Sequence, residues 1–287
     1  MKIGVMLESF QSDPALRVPR DHVGVSRVYD SPLKKTVPLA RAVGAEGVQA
    51  YASYGELAPE NMSDNKTKEW LKLIKNHNMV FSAICGDLGS PGFEDASLNA
   101  KRIETSKRIM DLAKKLECDV VTTHIGTVPA EECTVKETMR KACRELALYA
   151  DSIGSAFAVE TGPETAQVLL DFLESLGAGG VRVNYDPANL VMCVADDPVE
   201  GVRTLGKYIV HTHAKDGVQL SLNPLKWEEL PLGHGGVKWD EYLLALSSIG
   251  FDGFLTIERE VGESPEADIR MAADFLSERL ATLFNRH

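Results

Sequence analysis

The sequence predicts an α/β chain folded as a single-domain (β/α)8 TIM barrel across residues 1–287, and three observations predict it. Eight short apolar runs, rich in β-branched residues, alternate with polar loops and amphipathic helical stretches. The first run, KIGVML (2–7), is apolar at nearly every position, as a strand covered on both faces must be. Four later runs end abruptly at Glu160, Asp186, His213 and Glu258. Such ends converge only when the strands are parallel neighbours with their carboxyl ends at one face.

Taken in order, the first strand is followed by ESFQSDPALRVPRDHVGVSRVYDSP (8–32), which is long, aperiodic and rich in Pro and Asp. A long irregular loop after a barrel strand reads as a functional lid or wall. Ser31-Pro32 should open a helix through about Ala45, with a break or late start forced by Pro38. GVQAYA (47–52) is the second strand, and Ser63 caps a helix carrying Trp70, Leu71 and Ile74 at helical spacing. MVFSAICG (79–86) is the third, followed by a Gly-rich loop and a helix from about Ala96 to Leu116. DVVTTHIG (119–126) is the fourth and contains His124, with a helix from Val135 to about Ile153 behind it. AFAVETG (156–162) is the fifth; Pro163 marks a helix first turn and Gly177 its end. VRVNYD and KYIVHTHAKD are the sixth and seventh, joined by a connecting helix. A loop through Trp227 and a Gly-rich turn then leads to a helix from Trp239 to Ile249, the eighth strand GFLTIERE (253–260), and a closing helix from Pro265.

Composition narrows the function. The chain is 44% hydrophobic and 25% charged, ordinary for a soluble globular protein, with a net charge of −11 and a pI of about 5.2. That balance argues against nucleic acid and anionic membranes as partners, and no apolar run approaches the roughly 20 residues of a membrane span. Five scattered cysteines without a CxxC pair read as reduced and cytoplasmic.

Glu160, Asp186, His213 and Glu258 each follow residues expected in the core, where a charge survives only when paired or bound to metal. The competing reading is a ring of ion pairs with Arg182, Lys215 or Arg259. Three carboxylates and one imidazole make a hard, oxygen-rich divalent-metal site. It suits Mn2+ first, with Mg2+, Co2+ or Zn2+ as further fits. His211 lies two residues before His213 and so shares its strand face; His213 is chosen as ligand.

FAVETG, VNYDPANL, VHTHAKDG, LGHGGVKW and GFDGFLTIERE, in this order, resemble the xylose isomerase-like barrel superfamily, and within it the sugar-phosphate isomerase/epimerase branch that includes the ketose 3-epimerases. The resemblance implies that Glu160, Asp186, His213 and Glu258 hold the metal. It also implies that Glu160 and Glu258 form an acid/base pair on opposite faces of the sugar, working through a metal-stabilised cis-enediolate. His124 matches a strand-four His that points into the site, with a buried, satisfied His as the competing reading. His211, Asn189 and Lys215 fall at substrate-side positions, where Lys215 either anchors an oxygen or phosphate or pairs with Asp216 or Glu258. Two departures stand out: Asn189 replaces a His and Lys215 an Arg of the ketose 3-epimerases, whereas inosose dehydratase-like relatives carry Asn or Lys there. Family habit points to a homo-dimer or tetramer acting on a small carbohydrate.

Four functions compete. An isomerase or epimerase of ketoses, keto-inositols or sugar phosphates leads, and a lyase or dehydratase on the same site is the alternative. An apurinic endonuclease would need more histidines than the seven present. A non-catalytic sugar-binding barrel would show a broken metal set. Glu164 reads as first-turn helix charge, Gly233–Gly236 as a turn, and Trp227 and Tyr54 as sugar-facing walls or as packing.

Overall fold

A computed structural model describes residues 1–11 and 33–284. Eight parallel strands close a barrel: β1 (Lys2–Met6), β2 (Gly47–Tyr51), β3 (Val80–Cys85), β4 (Val120–Thr123), β5 (Ala156–Glu160), β6 (Val181–Tyr185), β7 (Ile209–Ala214) and β10 (Phe254–Ile257). β10 pairs with β1 through Val5–Ile257 and with β7 through Thr256–His213, so the sheet has no open edge. The helices are α1 (Val37–Ala42), α2 (Asp64–Asn76), α3 (Ala96–Lys115), α4 (Thr134–Ile153), α5 (Ala166–Ser175), a short α6 (Pro187–Asn189), α7 (Pro198–Leu205), α8 (Trp239–Ser248) and α9 (Pro265–Phe284).

Local chemistry explains most boundaries. Ser63, Asp95, Thr165 and Asp197 each accept a backbone N–H at a helix start, which satisfies donors that the helix leaves orphaned. The late start expected at Pro38 is observed: a 3-10 turn, Leu33–Thr36, precedes α1 and Pro38 sits in its first turn. The expected lid falls largely on residues 12–32, outside the described residues, as does Ser31-Pro32.

Three expectations need correction. The stretch after β7 is not a loop but an antiparallel hairpin, β8 (Asp216–Leu222) and β9 (Leu225–Leu230), with Leu222 opposite Leu225. Asn-Pro at 223–224 between two alternating runs is the signal that would have found it. The single helix expected after Asp186 is instead α6, a π turn at Leu190–Val194, left-handed Ala195, and then α7. Pro163 lies before α5, whose cap is Thr165.

Alternation within the strands sorts the barrel into two environments. Val5, Val48, Val121, Phe157, Val159, Val183, Leu255 and Ile257 are buried in the single large apolar core. The intervening residues meet inside the barrel and are largely polar. Gln49 Nε2 donates to Thr122 Oγ1 at 2.8 Å across non-neighbouring strands, and Gln49 Oε1 is 3.1 Å from His213 Nε2 on the far wall.

Candidate metal and active site

The four strand-end residues converge. One ligand atom from each of Glu160, Asp186, His213 and Glu258 lies within 4.8 Å of the others, and all four residues are buried. His213 Nδ1 is the hub, 3.5 Å from Glu160 Oε2, 3.6 Å from Asp186 Oδ2 and 3.3 Å from Glu258 Oε2. Atoms that share an ion at about 2 Å lie about 3–4 Å apart, so this spacing fits a divalent cation. Two of the atoms make the stronger point: Asp186 Oδ2 and His213 Nδ1 are buried without a hydrogen-bond partner. Orphaned polar atoms of this kind call for an explanation, and a bound ion supplies one. Asp186 divides its carboxylate, with Oδ1 capping α6 by accepting the N–H groups of Ala188 and Asn189 and Oδ2 left facing the cluster.

Electrostatics follow from the crowding. Burial alone would depress the pKa of His213, but Glu258, Glu160 and Asp186 outweigh it and hold the imidazole well above its usual value. Burial raises the Asp186 pKa, and His213 and Lys215 oppose it. For Glu258 burial pushes upward, yet His213 and Lys215 win and keep its carboxyl well below the ordinary range.

A hydrogen-bonded layer beneath the cluster aims these groups, and the sequence reading missed most of it. His213 Nε2–H donates to Gln49 Oε1, which turns Nδ1 towards the carboxylates. Asn184 Nδ2 donates to Glu160 Oε2 at 3.0 Å, while Asn184 Oδ1 accepts from His211 Nδ1 at 2.7 Å. His211 Nε2 accepts from Thr256 Oγ1 at 2.8 Å. Burial, and His213 after it, hold His211 neutral, well below its usual pKa. With both ring nitrogens engaged, His211 has no atom left for the substrate contact expected of it; it orients Asn184 instead. Gly4 belongs to this layer, since a Cβ there would meet Thr256 Oγ1 at 2.5 Å.

The remaining expected residues surround the rim. Asn189 Nδ2 donates to Glu160 Oε1 and to the Thr161 carbonyl, at 3.0 and 3.1 Å, so it steadies Glu160. His124 is the most open group, 45% exposed, with Nε2 3.5 Å from Glu160 Oε1 and Nδ1 3.4 Å from Asp87 Oδ2. The flanking carboxylates Glu160 and Asp87 raise its pKa above the usual imidazole value. Lys215 is buried against Glu258 at 3.1 Å and Glu260 at 2.5 Å rather than open to a ligand. Of the ion pairs in the competing reading, the Lys215–Glu258 pair forms; among the described residues Arg259 instead binds Glu229 and Asp268, and Arg182 Nη1 donates to the Lys207 carbonyl.

Glu164 is not a first-turn charge, because α5 begins two residues later; its Oε2 accepts the Val128 N–H at 3.1 Å. The Gly233–Gly236 stretch is a turn wrapped on Asp216, which accepts the N–H groups of Gly217, Gly233 and Val237 and the Trp239 indole. Tyr54 stacks on Tyr51 with ring centroids 4.9 Å apart, and Trp227 lies 44% exposed on β9.

Barrel and site together define a metal-competent parallel barrel with its polar centre at the strand carboxyl ends. The chain belongs to the xylose isomerase-like TIM barrel family, whose profile matches residues 37–279. It is 24% identical over 183 residues to the uncharacterized protein MJ1311 of Methanocaldococcus jannaschii, a match covering 58% of this chain and 60% of that one. The chain thus matches less than two thirds of that curated relative's length. A xylose isomerase domain protein from Planctomyces limnophilus superposes with a TM-score of 0.80 at 24% identity, covering 99% and 98% of the two chains. D-psicose 3-epimerase from Clostridium cellulolyticum H10 gives 0.75 at 17% identity, covering 98% and 99%. A probable 3-DHS dehydratase from Bacillus anthracis gives 0.72 at 18%, covering 96% and 99%. At these identities the likeness is one of fold.

Proposed function

We propose that this chain is a divalent-metal-dependent isomerase or epimerase of a ketose, a keto-inositol or their phosphates. The observation that carries the reading is the convergence of Glu160, Asp186, His213 and Glu258 with Asp186 Oδ2 and His213 Nδ1 buried and without a hydrogen-bond partner. An ion held by these four, Mn2+ foremost, supplies Lewis-acid stabilisation of negative charge developing on substrate oxygen. Glu160 would take the proton from the carbon beside the carbonyl, and Glu258, ionised at rest, would collect a proton from solvent and return it from the opposite face. Asn184 and Asn189 hold Glu160 in place for that transfer, and His124, the exposed group beside Glu160, meets a substrate oxygen. The substrate is a small carbohydrate, and the enzyme works in the cytoplasm as a homo-dimer or tetramer.

A lyase or dehydratase is the second reading, and one observation favours it. Asn189 and Lys215, which replace substrate-contacting residues of the ketose 3-epimerases, spend their donors on Glu160 and Glu258. The same enolate can then collapse by losing a hydroxyl.

Deuterium uptake from D2O into a panel of ketoses, inososes and their phosphates, with Mn2+ and with chelator, tests both. Metal-dependent uptake beside a carbonyl is expected, with the product separating epimer from dehydrated ketone. Glu160→Gln should abolish uptake while only partly weakening metal binding. Full turnover in that variant removes Glu160 from the base role.

A further inference from the structure

Behind Glu258 lies a buried charge cluster that neither the ligand set nor the interior hydrogen-bond layer uses. Lys215 follows His213 by two residues, and its side chain is 4% exposed. Its Nζ reaches Glu258 Oε2 at 3.1 Å, Glu260 Oε2 at 2.5 Å and Glu229 Oε2 at 3.8 Å. Glu229, at the buried base of β9, accepts Arg259 Nη1 at 2.7 Å and the Glu260 N–H at 3.1 Å through Oε1. Arg259 donates through Nε to Asp268 at 2.8 Å, and its backbone N–H goes to Ser9 Oγ. Both residues that follow Glu258 are therefore tied down by Glu229 of the hairpin.

The Glu258 oxygen that Lys215 holds, Oε2, is the same one that lies 3.3 Å from His213 Nδ1. A carboxylate oxygen has two lone-pair directions. Lys215 occupies one and leaves the other aimed at the cluster. Burying an ammonium is costly unless its partners surround it, as they do here.

We propose that Lys215, braced by Glu229, is a positioning residue that fixes Glu258 Oε2 in the orientation a divalent ion requires. This rests on the metal-site reading above and moves Lys215 from substrate anchor to holder of a ligand. Charge alone gives the opposite expectation, because removing a cation beside three carboxylates increases their pull on a divalent ion. Losing a group that orients a metal ligand instead weakens metal affinity by about 10- to 100-fold.

The two accounts separate by sign in a calorimetric Mn2+ titration of the full chain, with the melting temperature of the metal-free protein recorded alongside. Lys215→Met should weaken binding about tenfold or more. Lys215→Gln, neutral and too short to reach Glu258, should also weaken it, and it carries the test where the Met variant does not fold. Unchanged or tighter binding in a folded variant overturns the positioning role while leaving the metal site intact. A wild-type protein that binds no Mn2+ overturns the ligand set, and the positioning role with it.

Discussion

Replacing Glu164 by Gln should change how stability depends on pH. The Glu164 carboxyl is 7% exposed and accepts the Val128 N–H on the β4 loop, and its own backbone N–H also favours the charged form. The charged groups felt there are His124, which favours ionisation, and Glu94, which opposes it. Burial dominates and raises the pKa from 4.5 to about 7. The folded protein therefore keeps this proton to a higher pH than the unfolded chain does. Stability falls as pH rises from about 4.5 to 7 and then levels off. The shift, 7 − 4.5 = 2.5 units, corresponds to roughly 3 kcal/mol at 1.36 kcal/mol per unit, of which about 2.5 kcal/mol develops between pH 5 and pH 8. Glutamine keeps a carbonyl for Val128 and cannot ionise. Urea unfolding of both proteins at pH 5 and pH 8 should show the variant gaining about 2.5 kcal/mol on wild type across that range. Any constant cost of the substitution cancels in this difference. Parallel pH profiles would refute the argument, because Glu164 would then have the same proton affinity folded and unfolded.

Other outcomes follow from the same geometry. His213 holds its proton well above the usual range, and a metal ligand must be neutral, so Mn2+ affinity should rise with pH and binding should release protons; calorimetry in two buffers of different ionisation enthalpy measures this, and zero release refutes it. Asp186→Asn keeps the cap on Ala188 and Asn189 but loses the anionic ligand, so metal affinity should drop about tenfold or more with helix content in circular dichroism unchanged. Gly235→Ala places a Cβ 2.1 Å from Asp216 Oδ1 and should lose about 2–3 kcal/mol in urea unfolding; wild-type stability would show that the turn can yield.

The sequence made the barrel legible because each strand is a short apolar run with its own helix behind it, and the ligand set because Glu160, Asp186, His213 and Glu258 break such runs abruptly. Gln49, Asn184 and Thr122 were not legible. A polar residue inside a strand looks the same in one dimension whether it faces solvent or the barrel axis, and only closure decides. Lys215 was ambiguous for a related reason. Its partners Glu229, Glu258 and Glu260 lie on two elements distant in sequence, and one of these, the hairpin strand β9, was read as loop.

The polar interior links fold to function. Barrel interiors are commonly filled by Val, Ile and Leu, which pack without directional demands. Here Gln49, Thr122, Asn184, His211 and Thr256 fill that space, each with at least one hydrogen bond to another member of the layer or to the cluster above. An apolar filling would serve closure at least as well, since buried polar groups return little net stability even when satisfied. What the polar layer adds is direction. It fixes which nitrogen of His213 faces the carboxylates and which oxygen of Glu160 is held from below. A Gln49→Leu change should thus leave the barrel folded while freeing the His213 ring to turn, which separates the layer's aiming role from its packing role.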